Sequence, residues 1–471
     1  MPQPFLNIHA RMSNSFPNQK TLLTLSLALL VSGCVISQKK GATAGKFPQT
    51  FENIRIAKAE KGDRMGPCEP SISVNPKNPQ NIAAGAILDR YYWSNDGGHT
   101  WETGSLYSKS SGVFGDPVLL GDWQGNFFYS HLSDPEGKGW SSEKLLDRIV
   151  IQKSTDGGKT YDDGSWCGLR HPKDQDKPWL CAEPKTGNIA CTWTEFDKYN
   201  SKDVEKDHSR ILFSQSNDSG KSWSEALAIS QFEGDCLDSD NTTEGAVPAY
   251  GPNGEIYTAW SYGEKIWFDR STDGGKTWLD KDILVAQQPG GWDIEIPGIG
   301  RSNVMPILVC DLSASSRRGT LYLCWGDQRH GENDTDIFIA KSVDSGLSWS
   351  NSTQVNDDKK KRQQFFPWLA IDQVTGHLYT VFYDRRNYTD DQTDVYVAVS
   401  QDGAKSFKNL KVSTVPFDPS PGVFFGDYNH ISAHDGVVRP IWTRLDRGVL
   451  SVWTAIMDFK KPVVKGKENQ D

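Results

Sequence analysis

From residue 51 onward the chain repeats one pattern of apolar and polar positions. Each copy opens near a proline with a short apolar stretch, turns at glycine, and continues into a second stretch rich in aromatics. The opening stretches are Glu69-Pro-Ser-Ile-Ser-Val74, Asp116-Pro-Val-Leu-Leu120, Lys177-Pro-Trp-Leu-Cys181 and Gly245-Ala-Val-Pro-Ala249, followed by Val304-Met-Pro-Ile-Leu-Val309, Phe366-Pro-Trp-Leu-Ala-Ile371 and Gly426-Asp-Tyr-Asn-His-Ile431. Short apolar runs punctuated by glycine and proline read as strands. Six of the seven copies end in one octapeptide, at Ser94–Trp101, Ser154–Tyr161, Ser216–Trp223, Ser271–Trp278, Ser342–Trp349 and Ser400–Phe407. It has the form Ser-x-Asp-x-Gly-x-Thr-Trp, with Ser for Thr in three copies, Tyr or Phe for Trp in two, and Ala for Gly in the last.

A repeat of this length marks a stacked or radial array of one supersecondary unit. The octapeptide is scaffold by its chemistry. Its Asp can accept hydrogen bonds from turn N–H groups, its Gly allows positive φ, and its aromatic covers apolar surface. The seventh copy runs through Gly436–Trp442 and Leu450–Ala455 and then stops without an octapeptide. It lacks a fourth strand, and Phe51–Ala57 is a spare strand pattern ahead of the first copy. Pairing the two would close a ring and remove two open edges. The pattern therefore predicts an all-β propeller over 51–458 with seven four-stranded blades, closed by the N-terminal strand. A six-bladed ring with an appended hairpin is the alternative.

Composition then narrows the function. The net charge of −9 offers no basic surface for phosphates, so nucleic acid is not an expected partner. Arg11 and Lys20 precede the apolar run Thr21–Val31, which is too short to span a bilayer. Ser32-Gly33-Cys34 follows and resembles a bacterial lipobox. That resemblance implies a signal peptide at 1–33, lipidation of Cys34, and a lipid-anchored monomer in a bacterial envelope, at the outer membrane or cell surface. Residues 34–50 read as a flexible tether and 459–471 as a disordered tail. Seven cysteines remain after Cys34, an odd number that leaves at least one thiol free, and no C-x-x-C pair supports a zinc or redox motif.

Loops before the inner strands and after the second strands share one face of such a ring. That face gathers Glu69, Asp116, Asp176, Lys177, Glu244, Arg301 and Asp427 with Asp89, Arg90, Glu195, Asp327, Arg329, Asp384, Arg385, Arg386 and Arg444. Arginine forks hold carboxylates bidentately, and acids serve as general acid or base where neighbours shift them. Asp–Arg pairs such as Asp384-Arg385 can equally staple the blades. Two segments look alike, Trp325–Phe338 and Tyr383–Tyr396, and their acidic loops suit Ca²⁺ through oxygen ligands, although no cofactor is required.

The octapeptides are similar to the Asp-box, and the blade pattern resembles the sialidase (BNR-repeat) superfamily over residues 50–458. The resemblance implies a sialidase-like glycoside hydrolase acting on carboxylate-bearing sugars, or else a non-catalytic propeller that binds glycan or protein. By position it implies Tyr428 as nucleophile, Glu244 as its partner and Asp116 or Asp89 as acid, with Arg301, Arg385, Arg386, Arg444 and Arg329 holding the sugar carboxylate. The family's Arg-Ile-Pro before the first inner strand is replaced here by Cys68-Glu69-Pro70.

Overall fold

The computed structural model describes residues 47–459, apart from 61, 62, 64 and 360. The expected leader, Cys34, most of the tether and the tail from 460 lie outside them.

Seven antiparallel four-stranded sheets form the ring. Six are consecutive meanders, such as Ser71–Val74, Ile82–Ala86, Arg90–Ser94 and Glu102–Ser105 for the first. The seventh joins both ends of the chain. Strand Glu52–Lys58 pairs with Val449–Asp458, outside Val437–Asp446 and the inner strand His430–His434. The expected closure is thus present, with Glu52 opposite Ile456 and Lys58 opposite Ser451.

The octapeptides build one turn six times. In each, the Ser hydroxyl donates to the Asp carboxylate at 2.7–2.9 Å. The N–H four residues after the Ser donates back to the Ser oxygen, and the Thr or Ser hydroxyl bonds the second Asp oxygen at 2.5–2.7 Å. The closing aromatic is half-buried, and where it is Trp or Tyr it reaches the preceding blade. Trp278 meets Phe213 edge-on at 5.0 Å, and Trp349 meets Phe268 at 5.3 Å. The turns closed by Trp or Tyr are therefore also staples between blades.

The inner strands share a kink where they approach the axis. Glu69, Asp116, Lys177 and Phe366, each just before a proline, have φ near +50°, and Gly245 has φ +77° at the matching place. Register slips there, between Asp176 and Trp179, Glu244 and Val247, and Phe365 and Trp368, as in a bulge. A left-handed φ strains a side-chain-bearing residue by about 1–3 kcal/mol, so neighbouring structure must hold it. The kink turns these residues from the sheet toward the axis.

All seven inner strands line an axial channel of about 260 Å³. Rings from three blades pack across one end of it. Trp179 lies 4.1 Å from Trp368 and parallel to His430 at 5.9 Å, and Tyr428 meets Trp179 edge-on at 5.4 Å. Burial pushes the His430 imidazole down to about 3, so it is neutral in this apolar plug. The cysteines from Cys68 onward are all free thiols, and all but Cys181 are fully buried, packed as small apolar groups.

Deleting 52–58 removes six paired positions and opens both ring edges. The expected loss is about 3–6 kcal/mol at roughly 0.5–1 kcal/mol per ladder bond, read by denaturant unfolding. A second prediction concerns acid. Hydrogen bonds from Ser348, then Ser342, hold the exposed Asp344 carboxyl down to about 2. Its contribution is present above the unfolded value of about 3.9 and lost as pH falls toward 2. Asp344→Asn should be less stable at neutral pH and flatter between pH 4 and 2.

Candidate active site

Three of the kinked residues, Glu69, Asp116 and Lys177, converge on a cavity of about 310 Å³. Its floor is charged: Glu69, Asp116, Asp176, Lys177 and Arg301 all line it. Its walls are apolar and aromatic, with Phe114, Trp140, Phe424 and Tyr199 among them. It shares no lining residue with the axial channel.

Two cations hold this floor together. The buried Lys177 ammonium lies 3.2 Å from Asp427 and 3.8 Å from both Asp176 and Glu244. Burial works against its charge, but Asp176 and Asp427 outweigh burial and raise it well above the ordinary lysine value. Arg301, from the long loop between Gln287 and Ile307, forks onto Asp427 and reaches Asp238 at 2.9 Å. Lys177 and Arg301 keep Asp238 ionised and far below the usual carboxylate range, against its burial. Trp292 and Tyr199 also donate to Asp238, at 2.9 and 3.1 Å.

Three further carboxyls are in excess. Burial, then Asp116 and Asp427, raise Glu69 well above the ordinary carboxyl value. Burial and then the adjoining Asp176 do the same to Asp116. Burial and then Asp238 raise Glu244, whose retained proton is shared with the Asp238 carboxylate. These three hold protons when ordinary carboxyls have lost theirs. Asp116 is the one that is only half-buried, so its proton is within reach of a bound molecule. Carboxyl pairs whose environments push them apart supply an acid and a base at one pH.

The residues expected from sequence divide into two groups. Asp116, Glu244, Arg301 and Tyr428 come together at the axis. Tyr428 is buried beneath the acids, its hydroxyl donating to Pro117 O at 3.4 Å. Burial, then Glu69, Asp116 and Asp427, raise its phenol well above the ordinary value, so the structure disfavours a phenolate here. The other four arginines do not reach the cavity. Arg329 forks Asp327 and lies 3.7 Å over Phe338; Arg386 forks Asp384 and lies 4.4 Å over Tyr396. Arg444 forks Asp446, and Arg385 bonds Thr393 and Asp391 beside Phe365. A clamp of Arg301, Arg385 and Arg444 is therefore not assembled, because each blade uses its own arginine to tie its second strand to neighbouring loops. Asp238, Tyr199 and Trp140 were missed. They sit in insertions outside the repeat, and their only sequence signal is the extra length of those loops.

The acidic loop of the first look-alike segment brings His330, Asp334 and Asp336 within 4.8 Å of one another through their ligand atoms. Asp336 already accepts from Gln354 at 2.8 Å and from Asn356 and pairs with His330 at 2.6 Å, so its oxygens are occupied by the protein. The second segment instead binds its Asp394 to Lys411, Tyr388 and Ser413.

Fold and site together define a seven-bladed propeller with an acid-floored cavity at the axis. No family model matches the chain, and no curated protein matches it in sequence. Among solved structures it is similar to a PL25 ulvan lyase, a polysaccharide lyase, bound to a glucuronate–sulfated rhamnose unit, at TM-score 0.50 and 9% identity over 88% of this chain and 96% of that one. It is also similar to the NanB sialidase of Streptococcus pneumoniae at 0.48 and 11%, covering 80% and 83%. An α-L-arabinofuranosidase of Fusarium graminearum matches at 0.49 and 14%, covering 75% and 98%. At these identities the likeness is one of fold.

Lys177→Met should cost about 3–5 kcal/mol, because it leaves buried carboxylates without their cation. Glu244→Gln should keep the fold. Wild type should lose stability as pH rises above about 4.3, since only the unfolded Glu244 gives up its proton there; the Gln variant should lose less. Denaturant unfolding at pH 5 and pH 8 measures the difference.

Proposed function

We propose that this protein is a carbohydrate-active enzyme working at the axial cavity, with Asp116 as proton donor. The observation that carries the reading is the Asp116–Asp176 pair: a half-buried carboxyl that keeps its proton beside one held near Lys177, in a cavity with aromatic walls. As the glycosidic C–O bond breaks, Asp116 gives its proton to the departing oxygen. Asp176 holds the Asp116 proton by a hydrogen bond, and a carboxylate farther across the floor, with room for a water between it and the sugar, takes a proton from the water that attacks the sugar carbon. Fold likeness does not supply this assignment; the site does.

A sialidase-type route on a carboxylated sugar is the second reading. Its support is Tyr428 lying among the acids, with Glu69 rather than Glu244 first among the groups acting on its phenol. In that route the Tyr428 oxygen attacks the sugar carbon as the glycosidic C–O bond breaks, a carboxylate takes the phenol proton, and Asp116 gives its proton to the departing oxygen. Water later releases the sugar from Tyr428, while Arg301 exchanges protein carboxylates for that of the sugar. The lipobox reading adds an envelope anchor at Cys34, which Cys34→Ala with palmitate labelling in a bacterial host would test.

Two variants separate the routes on a panel of fluorogenic glycosides. Asp116→Asn should lower kcat by about 100-fold or more if Asp116 is the acid. Tyr428→Phe should leave kcat within about threefold in the carboxyl route and abolish turnover in the sialidase-type route. Full activity in Asp116→Asn overturns the first assignment.

A further inference from the structure

The cavity has a charge problem that a ligand can solve. Six carboxyls crowd the axis, Glu69, Asp116, Asp176, Asp238, Glu244 and Asp427, against two cations, Lys177 and Arg301. Neither cation is available to an incoming anion without breaking an internal pair. Lys177 is shared among three carboxyl groups, and both sides of the Arg301 guanidinium are taken by Asp427 and Asp238.

The surroundings extend the imbalance. Arg301 also borders a second chamber of about 770 Å³, lined by Asp293, Glu295 and Glu332 with no other cation. The two chambers share Arg301 as a common border. In the smaller one, the cleft above the acidic floor, the indole of Trp140 is 70% exposed, lies 5.9 Å from Tyr199 at an angle of 24°, and meets Phe114 edge-on at 5.7 Å. The Tyr199 hydroxyl is anchored on Asp238, so this aromatic wall is fixed to the acidic floor. Acid on one side and aromatic faces on the other are the two elements that attract an ammonium group.

We propose that the cleft takes a glycan bearing free amino groups, its ammonium on the carboxyl floor and its sugar ring against Trp140. This rests on the reading of the cavity as a glycan site and goes beyond it by naming the charge of the substrate. It also opposes the carboxylated-sugar expectation, because a sugar carboxylate would add to the excess. A bare divalent cation is the competing occupant. Among the described residues, however, the one acid-containing trio with ligand atoms within 4.8 Å is His330, Asp334 and Asp336, which lies elsewhere.

The test is calorimetric binding to the intact protein, with four probes: a glucosamine tetramer, its fully N-acetylated counterpart, 3′-sialyllactose, and calcium chloride. The glucosamine tetramer should bind at least about tenfold tighter than the acetylated one, a charge-assisted hydrogen bond being the difference. The preference should shrink between 50 and 500 mM salt, and binding should release protons as the ammonium displaces them from the floor. Trp140→Ala alters an exposed side chain, so it should fold normally and weaken the amino tetramer about tenfold. Tighter binding of sialyllactose, equal binding of the two tetramers, no binding of the amino tetramer, or binding of calcium alone at the cavity each overturns the proposal. Failure of the enzyme reading shows separately. Amine preference without turnover of any glycoside removes that reading alone, whereas turnover without amine preference removes this one alone.

Discussion

Everything at the axis depends on the ring being shut. A sheet ending in two bare edges could spread, and the inner strands would drift apart. The pairing of Glu52–Lys58 with Val449–Asp458 removes that freedom by joining the first strand of the fold to the last. Interlocking aromatics at the octapeptide turns closed by Trp or Tyr then fix the angle between neighbouring blades. With the perimeter set, seven strand ends must share a narrow axis, and whatever side chains they carry are forced into contact.

That crowding explains features that would be unstable alone. Residues at φ near +50° before prolines, a lysine only 4% exposed, and carboxyls that cannot all ionise are each unfavourable. Closure holds them because relieving one would require separating blades. The charges are arranged so that each cation serves several acids, and the acids left over keep their protons. Such a floor is built before any substrate arrives, which lowers the reorganisation needed when charge develops in a transition state.

The sequence made the architecture legible because a repeat is visible without knowing where side chains point. Seven inner stretches, six octapeptides and one spare strand count out a closed ring. The residues ahead of the inner strands were legible as sharing one face, Glu69, Asp116, Lys177 and Asp427 among them, but the left-handed kinks at the first three were not. Direction was not. Arg386 and Arg329 stand on the same face as Arg301, but the Asp two residues before each captures its guanidinium at short range, a choice that spacing alone cannot reveal. Trp140, Tyr199 and Asp238 were hidden for the opposite reason: they belong to insertions that no other blade repeats.

The plug of Trp179, Trp368 and His430 makes the propeller a cup rather than a tube. Two voids lie along one axis, yet they share no wall, and the rings between them stack at close range. Anything that comes in at the acidic mouth must leave by the same door. A long polymer cannot be threaded through the hub and advanced like a rope through a pulley; it must lie across the opening or present an end to it. The hub void beyond those rings, lined by all seven inner strands, is the axle around which the blades are set.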